Sequence, residues 1–479
     1  MATMRRTKIV ATLGPASSDP ATLERMFLAG VDVVRLNFSH GTAEDHLKRA
    51  DTVREISRKV GRAVGIMADL QGPKIRVGKF KDGKILLKTG DKFVLDSELE
   101  IGDAAGVGLD YKELPRDVKT GDVLLLDDGK IVLDVAGVKG SAINTVTRHG
   151  GVLSNNKGIN RQGGGLTAPA LTSKDIEDIR TAVKLKADYL AVSFPKSGAD
   201  MYMAKELMRA GGGEAFLIAK IERAEAIPAL EDIMKACDGI MVARGDLAVE
   251  VGDASVPALQ KRMIRLAREM NKLTITATQM MESMISSPVP TRAEVSDVAN
   301  AVLDGTDAVM LSAESASGQY PVETIESMHR ICVEAEKSQP VMLESEFLNR
   351  VFTRVDQSIA MAALFTAFHL KVKAIAALTE SGSTALWMSR LNCGVPIYAL
   401  TSQTSTRYRT TLFRDTYPLM VKYVGHDREE LLAEAESVLV KSGVVNEGDL
   451  IVLTIGEPIG KAGGTNTMKI VRVGEHRKA

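Results

Sequence analysis

The strongest constraint on the fold is a recurring pattern. Short apolar, β-branched runs start near Ile9, Val33, Val64, Tyr189, Phe216, Gly239, Leu273 and Ala308, and stretches of helical periodicity lie between them. Runs of this kind read as strands buried on both faces, the mark of a parallel sheet, and strands alternating with helices close into a (β/α)8 barrel. The spacing is regular except between Val64 and Tyr189, which predicts a domain inserted after the third strand. From Gly78 to Gly163 short runs such as Val123-Leu124-Leu125-Leu126 are separated by the turn signals Lys81-Asp82-Gly83, Asp127-Asp128-Gly129 and Val138-Lys139-Gly140. That pattern predicts a small antiparallel β domain, placed to act as a lid. After a polar stretch from Glu336 to Asn349, a helix over Val355–Leu370 and strands near Ala374, Pro396, Pro418, Leu450 and Lys469 to Val473 are expected. The predicted class is therefore α/β: a (β/α)8 barrel over 1–70 and 167–340, an inserted small β-barrel lid domain over 71–166, and a C-terminal α/β domain over 345–479.

Polar residues at the carboxyl ends of barrel strands converge on one mouth. Three strands end in Lys220-Ile221-Glu222, Arg244-Gly245-Asp246 and Thr278-Gln279. Glu222 and Asp246 could share one hard divalent cation such as Mg2+, with waters and substrate completing the shell; the plainer alternative is that each caps the next helix. Lys220 and Arg244 add positive charge where a phosphoryl group would be clamped, although Lys220 could also be a solvated strand end. The Ala243-Arg244-Gly245 backbone could present N–H groups to a carboxylate. In the second strand Arg35, Asn37 and Ser39 fall on one side, and leaving such groups buried without partners costs roughly 1–3 kcal/mol each. An anion for Arg35, and a cation for the Asn37 and Ser39 oxygens with Asp69 as a further ligand, would satisfy them. Arg76 lies at the hinge into the insert, and His40 reads as a hydrogen-bonded turn residue. Phosphate handling must rest on the mouth and lid, because Gly456 to Ala462 only approximates a phosphate-binding loop. A hydroxyl-rich turn, Thr379-Glu380-Ser381-Gly382-Ser383-Thr384, opens a helix in the third region and suits either a phosphate or a plain N-cap.

Composition limits the partners. The 61 Lys and Arg balance the 61 Asp and Glu, so there is no global field for nucleic acid or an anionic membrane. No apolar stretch reaches the length of a membrane span, and a cytoplasmic protein is expected. Cys237, Cys332 and Cys393 lack metal-site spacing and are expected to be buried free thiols.

Several of these segments resemble one family. Val33 to Gly41, Asp69-Leu70-Gln71-Gly72-Pro73-Lys74-Ile75-Arg76, Ala219 to Glu222, Met241 to Asp246, Ile275 to Met284, Pro290 to Glu294 and Asp304 to Glu314 look, in order, like pyruvate kinase of the bacterial, Lys-type subgroup. The resemblance implies transfer of the phosphoryl group of phosphoenolpyruvate to ADP and protonation of the enolate, with Mg2+ (or Mn2+) on Glu222 and Asp246. It implies that Lys220 and Arg35 meet the phosphoryl group. Ala243, Arg244 and Gly245 would bind the carboxylate, and Thr278 and Ser312 would serve the protonation. Thr12, Pro15, Asn37, His40, Arg76 and Lys157 would contact nucleotide. Asn37, Ser39, Asp69 and the Leu70 carbonyl would hold K+, but potassium-dependent relatives carry Glu where Lys74 stands, so no K+ requirement is expected. Ser197 stands where many relatives have a basic nucleotide contact, with Lys196 as the substitute. A homotetramer and a phosphorylated effector at Thr379 to Thr384 and Lys461 are further expectations, the effector a sugar monophosphate or AMP. Two other readings of the same mouth are a Mg2+-dependent aldolase or mutase acting on pyruvate or phosphoenolpyruvate, and a silent metabolite sensor.

Overall fold

The computed structural model describes residues 4–339, 351–422, 427–460 and 463–475. Eight parallel strands close a barrel: β1 (Lys8–Thr12), β2 (Val33–Asn37), β3 (Gly65–Asp69), β4 (Tyr189–Val192), β5 (Phe216–Ile221), β6 (Gly239–Ala243), β7 (Leu273–Ala277) and β8 (Ala308–Leu311). Each pairs with its neighbour in sequence, and β8 closes on β1 with Lys8 opposite Ala308. Nearly every strand residue is buried, as the continuous apolar runs require. The helices between them start where the sequence supplies caps. Thr42, Thr172 and Thr291 each accept from the N–H three residues on, and Asp45, Asp175 and Glu294 return the bond.

The chain leaves the barrel after β3 and returns before β4. Between them lie a six-stranded sheet and two two-stranded ribbons around one core that includes Phe93, Leu95, Leu124, Leu133 and Ile143. The turn at Asp127-Asp128-Gly129 joins Val123–Leu126 to Ile131–Lys139 as expected, with positive φ at all three residues. The insert is not wholly antiparallel. Lys92–Asp96 pairs in parallel with Gly106–Gly108, and Lys79–Phe80 with Ile101–Gly102, because the connections between these strands are longer than hairpin turns.

The third region is a five-stranded sheet: β9 (Ala374–Leu378), β10 (Ile397–Thr401), β11 (Thr416–Met420), β12 (Leu450–Gly456) and β13 (Thr465–Arg472), in the order β11-β10-β9-β12-β13, with β13 antiparallel. β13 begins earlier than the Lys469 read from sequence. One face of this sheet shares its apolar core with residues of the barrel strands: Val10, Met67, Tyr189, Ile218, Met241 and Ile275 cluster with Ala363, Leu364, Met388 and Phe413. The boundary expected between 340 and 345 lies outside the described residues. Cys237, Cys332 and Cys393 are buried and free. Among the described residues no helix is long and apolar enough to cross a membrane.

Candidate active site

At the carboxyl end of the barrel, strand geometry turns alternate side chains inward. The Lys220 ammonium from β5 lies 2.9 Å from Glu222 Oε1, 3.4 Å from Asp69 Oδ1 and donates to Ser193 Oγ at 2.8 Å. Ser193 in turn donates to the Leu70 carbonyl at 2.7 Å. From β2, Arg35 donates to Asp69 Oδ2 at 2.5 Å and to Thr12 Oγ1 at 3.0 Å. One buried network therefore joins Thr12, Arg35, Asp69, Ser193, Lys220 and Glu222. Asp69 Oδ1 is buried and accepts no hydrogen bond.

The charges set one another. Burial would lower the Lys220 pKa, but the carboxylates of Asp69 and Glu222 outweigh it and hold the ammonium above its ordinary value. Burial would raise Asp69, and Arg35 and Lys220 bring it below the ordinary carboxylate range. Glu222 is raised, by burial first; Lys220 opposes this and the negative charge of Asp246 adds to it. A cation between Glu222 and Asp246 would cancel that repulsion. Among the described residues no group of three or more His, Cys, Asp or Glu is gathered for a metal. Two hard carboxylates are the donor set suited to a Mg2+ that keeps waters for exchange with substrate.

Asp246 stands in the first turn of the helix Arg244–Val251 rather than on a strand end. Above it a cleft of about 580 Å³ opens between mouth and insert, lined by Lys74, Gly245, Asp246 and Thr278 below and by Leu125, Asp128 and Gln162 above. The Lys74 ammonium reaches to 3.6 Å from Asp246 Oδ1. Thr278 and Gln279 have φ of 70° and 53°, an uncommon conformation for residues with side chains and a costly one for a β-branched threonine. The segment is held from several sides. Gly245 N–H donates to Thr278 Oγ1 at 2.8 Å, the Thr278 hydroxyl donates to the Ala277 carbonyl at 2.6 Å, and the Arg244 guanidinium donates to the Thr278 carbonyl and to Asp297, each at 2.7 Å. Glu314 accepts from Ser312 N–H at 2.7 Å and from Met281 N–H at 3.2 Å, so it joins the ends of β7 and β8.

Ser39 and the Gly245 N–H depart from expectation. Ser39 lies in the turn after β2, where its N–H donates to Asn37 Oδ1 at 3.1 Å, so it does not continue the strand's inward face. The Gly245 N–H meant for a carboxylate is bonded to Thr278. Pro15 and His40 are exposed on the rim. Arg76 and Lys157 are both held by the insert, through the Asn156 carbonyl at 3.0 Å and Asp127 at 2.7 Å. Lys196 donates to the Ala168 carbonyl at 3.0 Å, and Ser197 stands at the N-cap of the helix Gly198–Ala210. Thr379 to Thr384 forms the expected turn, with Gly382 N–H donating to Thr379 Oγ1 at 2.9 Å and Thr384 bonded to Thr465 at 2.6 Å. The small cavity there, about 50 Å³, is lined by Glu380, Ser383 and Thr384; Lys461 lies outside the described residues. Ser193 and Glu314 escaped sequence reasoning. A hydroxyl after a buried strand and an acid two residues past Ser312 were the available signals, and neither is specific.

A closed (β/α)8 barrel whose mouth pairs cationic side chains with carboxylates under a β insert defines a barrel enzyme built for anionic substrates and a divalent ion. Comparison with known sequences makes this specific. The family described as "Pyruvate kinase, barrel domain" matches residues 4–325, and "Pyruvate kinase, alpha/beta domain" matches residues 357–471. Pyruvate kinase II of Salmonella typhimurium is 52% identical over 476 residues, 98% of this chain and 99% of the relative. Pyruvate kinase of Haemophilus influenzae is 51% identical over 461 residues, 95% and 96% of the two chains. That of Sporosarcina psychrophila is 41% identical over 482 residues, 98% of this chain and 81% of the relative. The chain belongs to the pyruvate kinase family, and it is a phosphotransferase.

Proposed function

We propose that the enzyme transfers the phosphoryl group of phosphoenolpyruvate to ADP, giving pyruvate and ATP in the final step of glycolysis. The observation that carries this reading is the buried Arg35–Asp69–Lys220–Glu222 network opening toward Asp246. Arg35 and Lys220 are the cations that would bind the phosphoryl group, and Lys220 would also balance charge on the enolate oxygen as it forms. Glu222 and Asp246 would hold Mg2+ or Mn2+, which when bound would supply positive charge to neutralise that of the substrate. The backbone of Ala243, Arg244 and Gly245 would receive the carboxylate, with Thr278 exchanging its bond to Gly245 for one to substrate. Thr278 and Ser312 would orient water that protonates the enolate carbon, since a threonine hydroxyl is too weak an acid to act alone. Thr12, Pro15, Asn37, His40, Arg76 and Lys157 would contact the nucleotide across the cleft.

Asn37, Ser39, Asp69 and the Leu70 carbonyl would form a K+ site in a relative with Glu at position 74. Here the Lys74 ammonium beside Asp246 supplies fixed positive charge instead. The domain limits proposed are 1–70 with 167–340, 71–166 and 345–479; the chain's exit after β3 and return before β4 support the limits of the insert. A homotetramer is proposed from the family, and activation by a sugar monophosphate or AMP from the Thr379 to Thr384 turn with Lys461. Saturation curves with glucose 6-phosphate, AMP and fructose 1,6-bisphosphate test the effector: activation by the bisphosphate alone overturns it.

The deciding experiment for the reaction is a coupled assay of pyruvate formation from phosphoenolpyruvate and ADP, with and without Mg2+. Mg2+-dependent turnover is expected. No ADP-dependent turnover would leave the silent sensor, and phosphoenolpyruvate consumption without ADP would favour the aldolase or mutase.

A further inference from the structure

The insert returns to the barrel through Gln162-Gly163-Gly164-Gly165, and all three glycines have positive φ, 80°, 77° and 89°. Only glycine adopts such a run without strain. This linker does not hang free. Gly163 N–H donates to the Glu250 carbonyl at 3.1 Å, and Gly165 N–H donates to Glu225 Oε1. Gly164 packs so closely on the same carboxylate that a Cβ there would lie 2.3 Å from Glu225 Oε2. Glu225 Oε2 is itself buried with no hydrogen-bond partner. The Glu250 side chain accepts from Ala224 N–H at 2.8 Å, which ties the segment of Glu250 to that of Glu225. On the insert side Arg161 donates to the Gly164 carbonyl at 2.9 Å and is clamped to Asp122 by two bonds of 3.0 Å. Glu225 lies three residues after Glu222, and Glu250 one helical turn after Asp246. Both carboxylates proposed to hold the metal are thus followed by a residue that holds the linker, Glu225 through its carboxylate and Glu250 through its backbone carbonyl, and Gln162 beside it lines the substrate cleft.

We infer that Glu225 is a positioning residue for the reaction: its carboxylate seats the Gly163–Gly165 linker on the loop that carries Glu222, and so sets where the insert, with Arg76 and Lys157, lies over the mouth. This rests on the reading that the insert supplies nucleotide contacts and the barrel mouth binds phosphoenolpyruvate and metal. An acid here is tolerated although half of it lacks a partner because the other oxygen and the glycine backbone interlock.

The test uses Glu225→Ala, Glu225→Gln, Gly164→Ala and the Glu225→Ala/Gly164→Ala double variant of the full chain, with thermal melting as the folding control. Misplacement of a substrate-bearing element is costly, so Glu225→Ala should lower kcat and raise KM for ADP, with kcat/KM for ADP down about tenfold or more. KM for phosphoenolpyruvate and Mn2+ binding, read by electron paramagnetic resonance without substrates, should stay within about twofold, because Glu222 keeps its bonds to Lys220 and Phe194 N–H. Glu225→Gln keeps an acceptor for Gly165 and should restore most of the activity. Since the added Cβ and the carboxylate occupy the same space, the double variant should be no worse than Gly164→Ala alone. Unchanged ADP kinetics in Glu225→Ala, equal shifts for both substrates, no rescue by glutamine, or effects that multiply in the double variant would each overturn the inference. Failure of the metal reading shows separately, as Mn2+ binding that survives Glu222→Gln and Asp246→Asn.

Discussion

Lys220 touches Glu222, Asp69 and Ser193 at once, so its ammonium is fixed before substrate arrives and needs no reorganisation as charge moves. Replacing it by methionine should leave phosphoenolpyruvate binding largely intact and lower kcat by about 10²–10³, or about 3–4 kcal/mol; turnover within threefold of wild type would remove it from the mechanism. Glu222 and Asp246 are the two protein carboxylates at the proposed ion. Glu222→Gln and Asp246→Asn should each raise the Mg2+ concentration for half activity by about tenfold or more, measured by Mg2+ titration at saturating substrates. Lys74 places its charge 3.6 Å from Asp246. Activity in tetramethylammonium buffer should therefore match that in potassium buffer, and Lys74→Glu should create a potassium requirement. Lys220, Glu222 and Asp246 were legible because they gather at or just past the ends of buried strands, whereas Lys74 was singled out by the family resemblance alone.

At the scale of single elements, the helix Arg244–Val251 carries Asp246 at its start and Glu250 near its end. Burial pushes the Glu250 carboxyl from 4.5 up to about 7, helped by Glu225 and opposed by its bond from Ala224. A raised folded-state pKa favours the folded protein fully below the unfolded value. That contribution is lost as pH rises from about 4.5 through about 7, because the unfolded chain ionises first. The loss amounts to about 3 kcal/mol at most. Glu250→Gln should flatten the fall in stability between pH 5 and pH 8, checked by denaturant unfolding across that range; an unchanged pH profile would show that Glu250 is not the group responsible. The segment after β7 is another element that periodicity could not foretell. Thr278 and Gln279 hold positive φ only because Arg244, Gly245 and Glu314, from two other parts of the chain, bind around them.

Across the whole molecule, the barrel and the third region share a core, and a buried ion pair crosses their junction. Arg390 donates to Asp307 Oδ2 at 2.9 Å and also to Oδ1, while Asp307 accepts from the N–H groups of Thr274 at 2.9 Å and Arg414 at 3.1 Å. Arg390→Met would leave that carboxylate buried without its cation, a change that costs about 3–5 kcal/mol. The expected result is a lower unfolding midpoint with the third region melting ahead of the barrel; a wild-type transition would show that the pair carries little. What the sequence determined alone was local and periodic: the eight strands, the turns at Asp127 and Gly140, the threonine caps, and the residues standing just past each strand. Those follow from burial on both faces, from φ preferences and from hydrogen bonds between near neighbours. Tertiary structure alone decided the contacts between distant segments: Ser193 beneath Lys220, Glu314 between two strand ends, Glu225 and Glu250 on the glycine linker, and Arg390 on Asp307. Such pairs leave no spacing or periodicity in the chain, because the requirement each satisfies, a partner for a buried polar group, arises only when folding brings the segments together.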